Sequence, residues 1–128
     1  MYNSFTDREK LATLATCAYI ANIDGQIRGG EYAFFSTLTI QMNAEDLLKR
    51  SGQMPQNEAL RIIKNMDQKK KDEVKRAWLK MWSFSSGGQT SGYITLGDYF
   101  PEDRLIKEMA CECDIDVSGR QYIDELTF

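Results

Sequence analysis

The stretch Val74-Lys75-Arg76-Ala77-Trp78-Leu79-Lys80-Met81-Trp82 decides the fold. Val74, Ala77, Trp78, Met81 and Trp82 recur at i, i+3, i+4, i+7 and i+8, the spacing that gathers side chains on one face of an α-helix. Lys75, Arg76 and Lys80 fall outside that stripe. Asp67 stands where it can cap the helix, and the pattern predicts an amphipathic rod with two core tryptophans at the centre of a bundle.

Working outward, the helical period continues on both sides. Thr6-Asp7-Arg8-Glu9 is a capping box, followed by Leu11, Leu14, Ala15, Ala18 and Ala21 on one stripe. Asp24-Gly25 stops this helix. A second helix is expected over 30–42, with Phe34, Phe35, Leu38 and Met42 inward, and Asn43 can cap a third over 44–50. Pro55 suits the start of a fourth, carrying Ala59, Leu60, Ile62, Ile63 and Met66. After the central helix, residues 85–97 form a Ser/Gly-rich loop expected to be long and flexible. A sixth helix is expected over 101–113, with Leu105, Ile106, Met109, Ala110 and Cys113 inward. A short seventh, 118–128, carries Tyr122, Ile123 and Leu126. Tyr93-Ile94-Thr95-Leu96 is the one strand candidate, and no partner for it stands out. The expectation is an all-α fold: one compact bundle of about seven helices, spanning residues 1–128.

Composition supports this and excludes several functions. A chain of 128 residues, 42% hydrophobic and 27% charged, suits one globular domain. Its longest apolar run, from Leu11 to Ile23, is broken by Thr13, Thr16 and Asn22, so no membrane association is expected. The polar N-terminus lacks the basic region of a secretory signal, which points to the cytoplasm. There is no histidine, which removes His-based catalysis. Cys17, Cys111 and Cys113 form neither a disulfide framework nor a zinc pattern, and Cys17 and Cys113 fit apolar helix faces. The net charge is −3, unevenly placed: +5 over residues 61–80, −6 over 98–128, and no charge over 81–97. The basic run lacks interleaved aromatics, so it reads as a solvated helix face and not as a nucleic-acid surface. The acidic end suits a basic protein partner. No Gly-Lys-Ser/Thr follows the Ser/Gly stretch, so it is not a phosphate loop.

Three segments fit a calcium-loop template to different degrees. Asp114-Ile115-Asp116-Val117-Ser118-Gly119-Arg120-Gln121-Tyr122-Ile123-Asp124-Glu125 places oxygens at Asp114, Asp116, Ser118 and Glu125, with Gly119 at the turn position. Gln121 replaces the usual aliphatic residue at position eight. Over 20–31, Asn22, Asp24, Gly25, Ile27 and Glu31 fit, but Ile20 occupies the first ligand position. Over 87–98, only Gly92, Ile94 and Asp98 fit. Calcium or another divalent metal is the cofactor these patterns suggest. The competing reading of 114–125 is an acidic turn. No carboxylate pair is marked as buried in a cleft, so no enzyme is expected.

Ala21-Asn22-Ile23-Asp24-Gly25-Gln26-Ile27-Arg28-Gly29-Gly30-Glu31 resembles the A-x-x-D-G-x-I-x-x-x-E signature of the TerB-like (tellurite-resistance TerB) helical domains. The later stretch from Ala59 through Leu79 to Met109 is also similar, and the likeness covers most of residues 7–116. It departs at the second turn, where Ser91-Gly92 replaces Asp-Gly after the Ser/Gly-rich insertion. The resemblance implies an all-α domain of roughly seven helices in two helix–acidic-turn–helix units, of a family with no established catalytic activity. It also implies a stress-response role through scaffolding or metal, with Asp24 and Glu31 as the carried-over ligands.

Overall fold

The computed structural model describes residues 2–23, 25, 29–85 and 92–123. Among them the chain forms α1 (Asp7–Asn22), α2 (Gly29–Gln41), α3 (Glu45–Ser51), α4 (Gln56–Lys64), α5 (Gln68–Ser85), β1 (Gly92–Thr95), α6 (Pro101–Cys113) and β2 (Arg120–Ile123). The fold is mostly helical with one small two-stranded sheet. No described helix is long and apolar enough to cross a membrane.

Local chemistry sets the helix starts. Thr6 Oγ1 accepts the Glu9 amide at 3.1 Å, and Glu9 Oε1 accepts the Thr6 amide at 2.8 Å, closing the capping box of α1. Asp67 Oδ1 accepts the Lys70 amide at 2.9 Å ahead of α5. Pro55 precedes α4 with extended backbone, and Pro101 sits in the first turn of α6. Asn43 does not cap α3. It takes a left-handed conformation (φ 53°), and Ala44 holds the N-cap position without a side-chain bond.

The helix at the centre is α1, not α5. Every residue from Leu11 to Ala18 is buried, and α1 packs against α2, α3, α4, α5 and α6. Residues 11–23 carry no charge, so α1 needs no solvent face, and its alanines let neighbours approach on all sides. Its hydroxyls are absorbed internally: Thr13 Oγ1 donates to the Glu9 carbonyl at 2.9 Å, and Thr16 Oγ1 lies 2.9 Å from the Thr13 carbonyl. Thr16 Oγ1 also accepts the indole N–H of Trp78 at 2.8 Å, which links α1 to α5 in the core. By contrast, Lys69 and Asp72 of α5 are exposed, and Lys75 and Arg76 half-buried.

Where the seventh helix is expected, over 118–128, the described residues form a strand, and 124–128 lie outside them. Gly119 turns the chain at φ 70°, and β2 runs antiparallel to β1 with Tyr93 opposite Tyr122. These rings lie 5.1 Å apart, and the Arg120 guanidinium sits 4.3 Å from the Tyr93 ring centre. Ile123 and Ile94 face the core. The strand candidate at Tyr93 thus has its partner in the segment read as helical, and β1 occupies the second half of the expected 85–97 loop. Residues 86–91 lie outside the described residues.

Two outcomes are expected. Thr16→Val removes the acceptor of a fully buried indole N–H while keeping the side-chain shape. It lowers the unfolding free energy by about 2 kcal/mol in urea titrations, whereas Thr16→Ser loses less. The second concerns Glu9. Burial alone would raise its carboxyl. The bonds from Lys70 Nζ (2.8 Å) and the Thr6 amide, with the Lys70 charge, hold it below the usual carboxylate range. A depressed pKa contributes stability above the unfolded value and loses it as pH falls through the folded one. Glu9→Gln is therefore less stable than the parent at neutral pH, and urea midpoints of the two converge below about pH 4.

Candidate functional site

Charged side chains seldom enter a core, yet Glu31 is 1% exposed, Glu102 and Asp103 3% each, and Lys80 7%. Glu31 lies in the first turn of α2, Glu102 and Asp103 in the first turn of α6, and Lys80 in the second half of α5. Gly30 makes the α2 side possible: a Cβ there would stand 3.2 Å from the Phe84 ring. Phe34 then packs on Phe84 with ring centres 5.6 Å apart. This close approach brings Glu31, in the first turn of α2, to Ser85, whose hydroxyl donates to Glu31 Oε2 at 2.9 Å. The N-terminal end of the α2 dipole favours the carboxylate.

One turn earlier on the same face of α5, the Trp82 indole N–H donates to Asp103 Oδ1. The Gly97 amide donates to Asp103 Oδ2 at 3.2 Å. Asp103, in the first turn of α6, therefore fastens α5, the β1–α6 connection and its own helix together. Lys80 lies 5.6 Å from the centre of the Phe84 ring, with its ammonium over the aromatic face. Sequence reasoning missed Lys80, Glu102 and Asp103. Lys80 falls off the apolar stripe, and Glu102 and Asp103 read as ordinary first-turn acids. The chemistry available at this end of the bundle is charge-assisted hydrogen bonding that locks three elements, with Glu31 at its α2 edge.

The segment 20–31 is placed as follows. Ile20, at the first ligand position of the template, is fully buried in the core. Asn22 Nδ2 donates back to the Ala18 carbonyl at 3.2 Å. Gly25 takes φ 84°, and its amide reaches the Asn22 carbonyl at 2.9 Å. Asp24 lies outside the described residues, so Glu31 is the carried-over ligand whose surroundings are described.

The segment 114–125 begins with Asp114 in a left-handed cap of α6 (φ 58°). From there Ile115 and Val117 turn inward, and Asp114, Asp116 and Ser118 face solvent. Asp116 Oδ1 accepts the Ser118 amide at 2.9 Å and the Ser118 hydroxyl at 2.6 Å. These two bonds hold the Asp116 carboxyl below its ordinary range. Lys75 Nζ donates to the Asp116 carbonyl at 3.2 Å. Glu125 lies outside the described residues. In the 87–98 segment, Asp98 accepts from Lys107 at 2.8 Å. The strand register sets Ile94 opposite Gln121, so position eight of one template faces position eight of the other. Among the described residues no group of three or more His, Cys, Asp or Glu side chains is arranged to hold a metal ion.

Cys17 and Cys113 are core residues, and Cys111 is exposed. Burial drives the Cys17 thiol far up, and that of Cys113 up to about 11; Cys113 Sγ sits 3.4 Å from the Leu60 carbonyl. Comparison with family models, curated proteins and solved structures returns no match, so the TerB-like resemblance rests on the residues quoted for it.

Asp103→Asn keeps the shape but turns one acceptor into a donor facing either Trp82 or Gly97. It is expected to lower the unfolding free energy by about 2 kcal/mol in chemical denaturation, more than the same change at exposed Asp98.

Proposed function

We propose that this chain is a helical interaction module of the TerB-like kind, serving a cytoplasmic stress response through protein contacts and not through catalysis. A divalent metal binds weakly at the first inter-helix turn, with Asp24 and Glu31 as its carboxylates. The observation that carries this reading is Glu31. The last acid of the A-x-x-D-G-x-I-x-x-x-E signature is buried and hydrogen-bonded to the end of α5, so the turn joins the bundle at a charged, constrained point. The partner is basic. Of the acids after residue 97, Glu102 and Asp103 are spent inside, whereas Asp98, Glu108, Glu112, Asp114 and Asp116 stand exposed.

A second reading, a calcium-binding protein using Asp114, Asp116, Ser118 and Glu125, is favoured by the Ile94–Gln121 register. Paired calcium loops meet through a short antiparallel strand of this kind.

An amide NMR titration with calcium, repeated with magnesium, separates the two. The first predicts saturable shifts at Gly25 and Glu31 that extend to Ser85 and disappear in Glu31→Gln. The second predicts shifts centred on Asp114, Asp116 and Ser118. An absence of saturable change at millimolar metal removes both metal sites and leaves the contact module alone.

A further inference from the structure

The outer face of α2 leaves two large apolar side chains in solvent, among small and polar neighbours. Tyr32 is 67% exposed and Ile40 59%. With Phe35 and Thr39 of α2 and Leu48 of α3 they line an open groove of about 420 Å³, rimmed by Glu45 and Lys49. Isolated exposed apolar residues are ordinary, but here two of them share one groove with Phe35 and Leu48, the arrangement of a contact surface.

The charges beside the groove say what covers it. Helix α3 carries Glu45 and Asp46 in its first turn and Lys49 and Arg50 in its last. All four are exposed, and none forms an ion pair with a described residue. The rim is therefore neutral in sum but ordered in sign along the helix. A partner of uniform charge gains at one end and loses at the other. A copy of the same surface, turned by a two-fold axis so that α3 runs antiparallel to α3, sets the two charges on the groove's rim, Glu45 and Lys49, against Lys49 and Glu45 of the other copy.

We propose that the α2–α3 face binds a second copy of this chain as an isologous dimer. Tyr32, Phe35 and Ile40 pack across the axis, and Glu45 of each copy faces Lys49 of the other. The area sets its strength. Helix α2 has 13 residues and α3 seven, so the face is roughly 20 Å of one helix beside about 10 Å of the other, each about 10 Å wide. That gives about 300 Å² per copy, well below the standard interface, so the association is weak. The dimer is thus concentration-dependent. It does not rest on the metal reading above.

Sedimentation equilibrium of the full chain, from low micromolar to millimolar, tests this. The mass should rise from 14.7 kDa toward twice that value. Ile40→Glu should abolish the rise while helical circular dichroism is retained. Glu45→Lys alone and Lys49→Glu alone should each weaken association roughly tenfold, because the two-fold axis repeats every repulsion. Mixing those two variants in equal amounts should restore it, since each then supplies the sign the other lacks. A parent monomeric up to millimolar concentration overturns the proposal. So does a dimer indifferent to all three substitutions. So do charge variants that change unfolding stability but not mass, which would assign these charges to the α3 dipole.

Discussion

The hydrogen bond from the Trp78 indole to Thr16 Oγ1, 2.8 Å long and wholly buried, is the constraint from which the rest is built. An apolar contact between α1 and α5 would tolerate sliding by a fraction of a turn. An indole N–H with a single acceptor in reach does not, because a displaced donor would be left dry. The register of the two helices is therefore set by polarity, although hydrophobic burial supplies most of the stabilisation.

Once that register is set, the remaining elements follow along one face of α5. Trp78, Trp82 and Ser85 lie at i, i+4 and i+7, and each donates to a different helix: Thr16 of α1, Asp103 of α6 and Glu31 of α2. The same stripe that buries apolar surface also presents three donors at one-turn intervals. Two of the acceptors are carboxylates, whose bonds are stronger than neutral ones but whose burial is costly without a partner. The end of the bundle is thus specific in its pairing, and Glu31 enters it from the first turn of α2.

Features that depend on near neighbours were legible in the residues, and those that depend on distant ones were not. The Thr6–Glu9 box, the stripes of α4, α5 and α6 and the Asp67 cap all follow from spacings of a turn or two. The centrality of α1 did not, because its stripe of Leu11, Leu14, Ala15 and Ala18 gives no sign that Ala12, Thr13, Thr16 and Cys17 are buried as well. The burial of Lys80, Glu102 and Asp103 was equally hidden. Asp103 looks like a surface charge until Trp82 and Gly97 are brought against it, and Lys80 until its ammonium lies over the Phe84 ring. The strand at Arg120–Ile123 was read as a helix because Tyr122 and Ile123 also suit a helical face, and its partner lies almost thirty residues earlier. Of the named site residues, the structure buries Glu31 against Ser85 and leaves Asp114 and Asp116 on an outward-facing run.

The central position of α1 has a consequence for the order of assembly. Its partners come late in the chain: Tyr19 waits for Met54, 35 residues on, and Thr16 for Trp78, 62 residues on. A helical protein of this size usually owes its speed to contacts between consecutive helices. Here α1 is uncharged along most of its length, and although α2, α3 and α4 cover part of it, the face that meets α5 waits for Trp78. Until then that face is open to misassociation, and the arrival of α5 ends the interval.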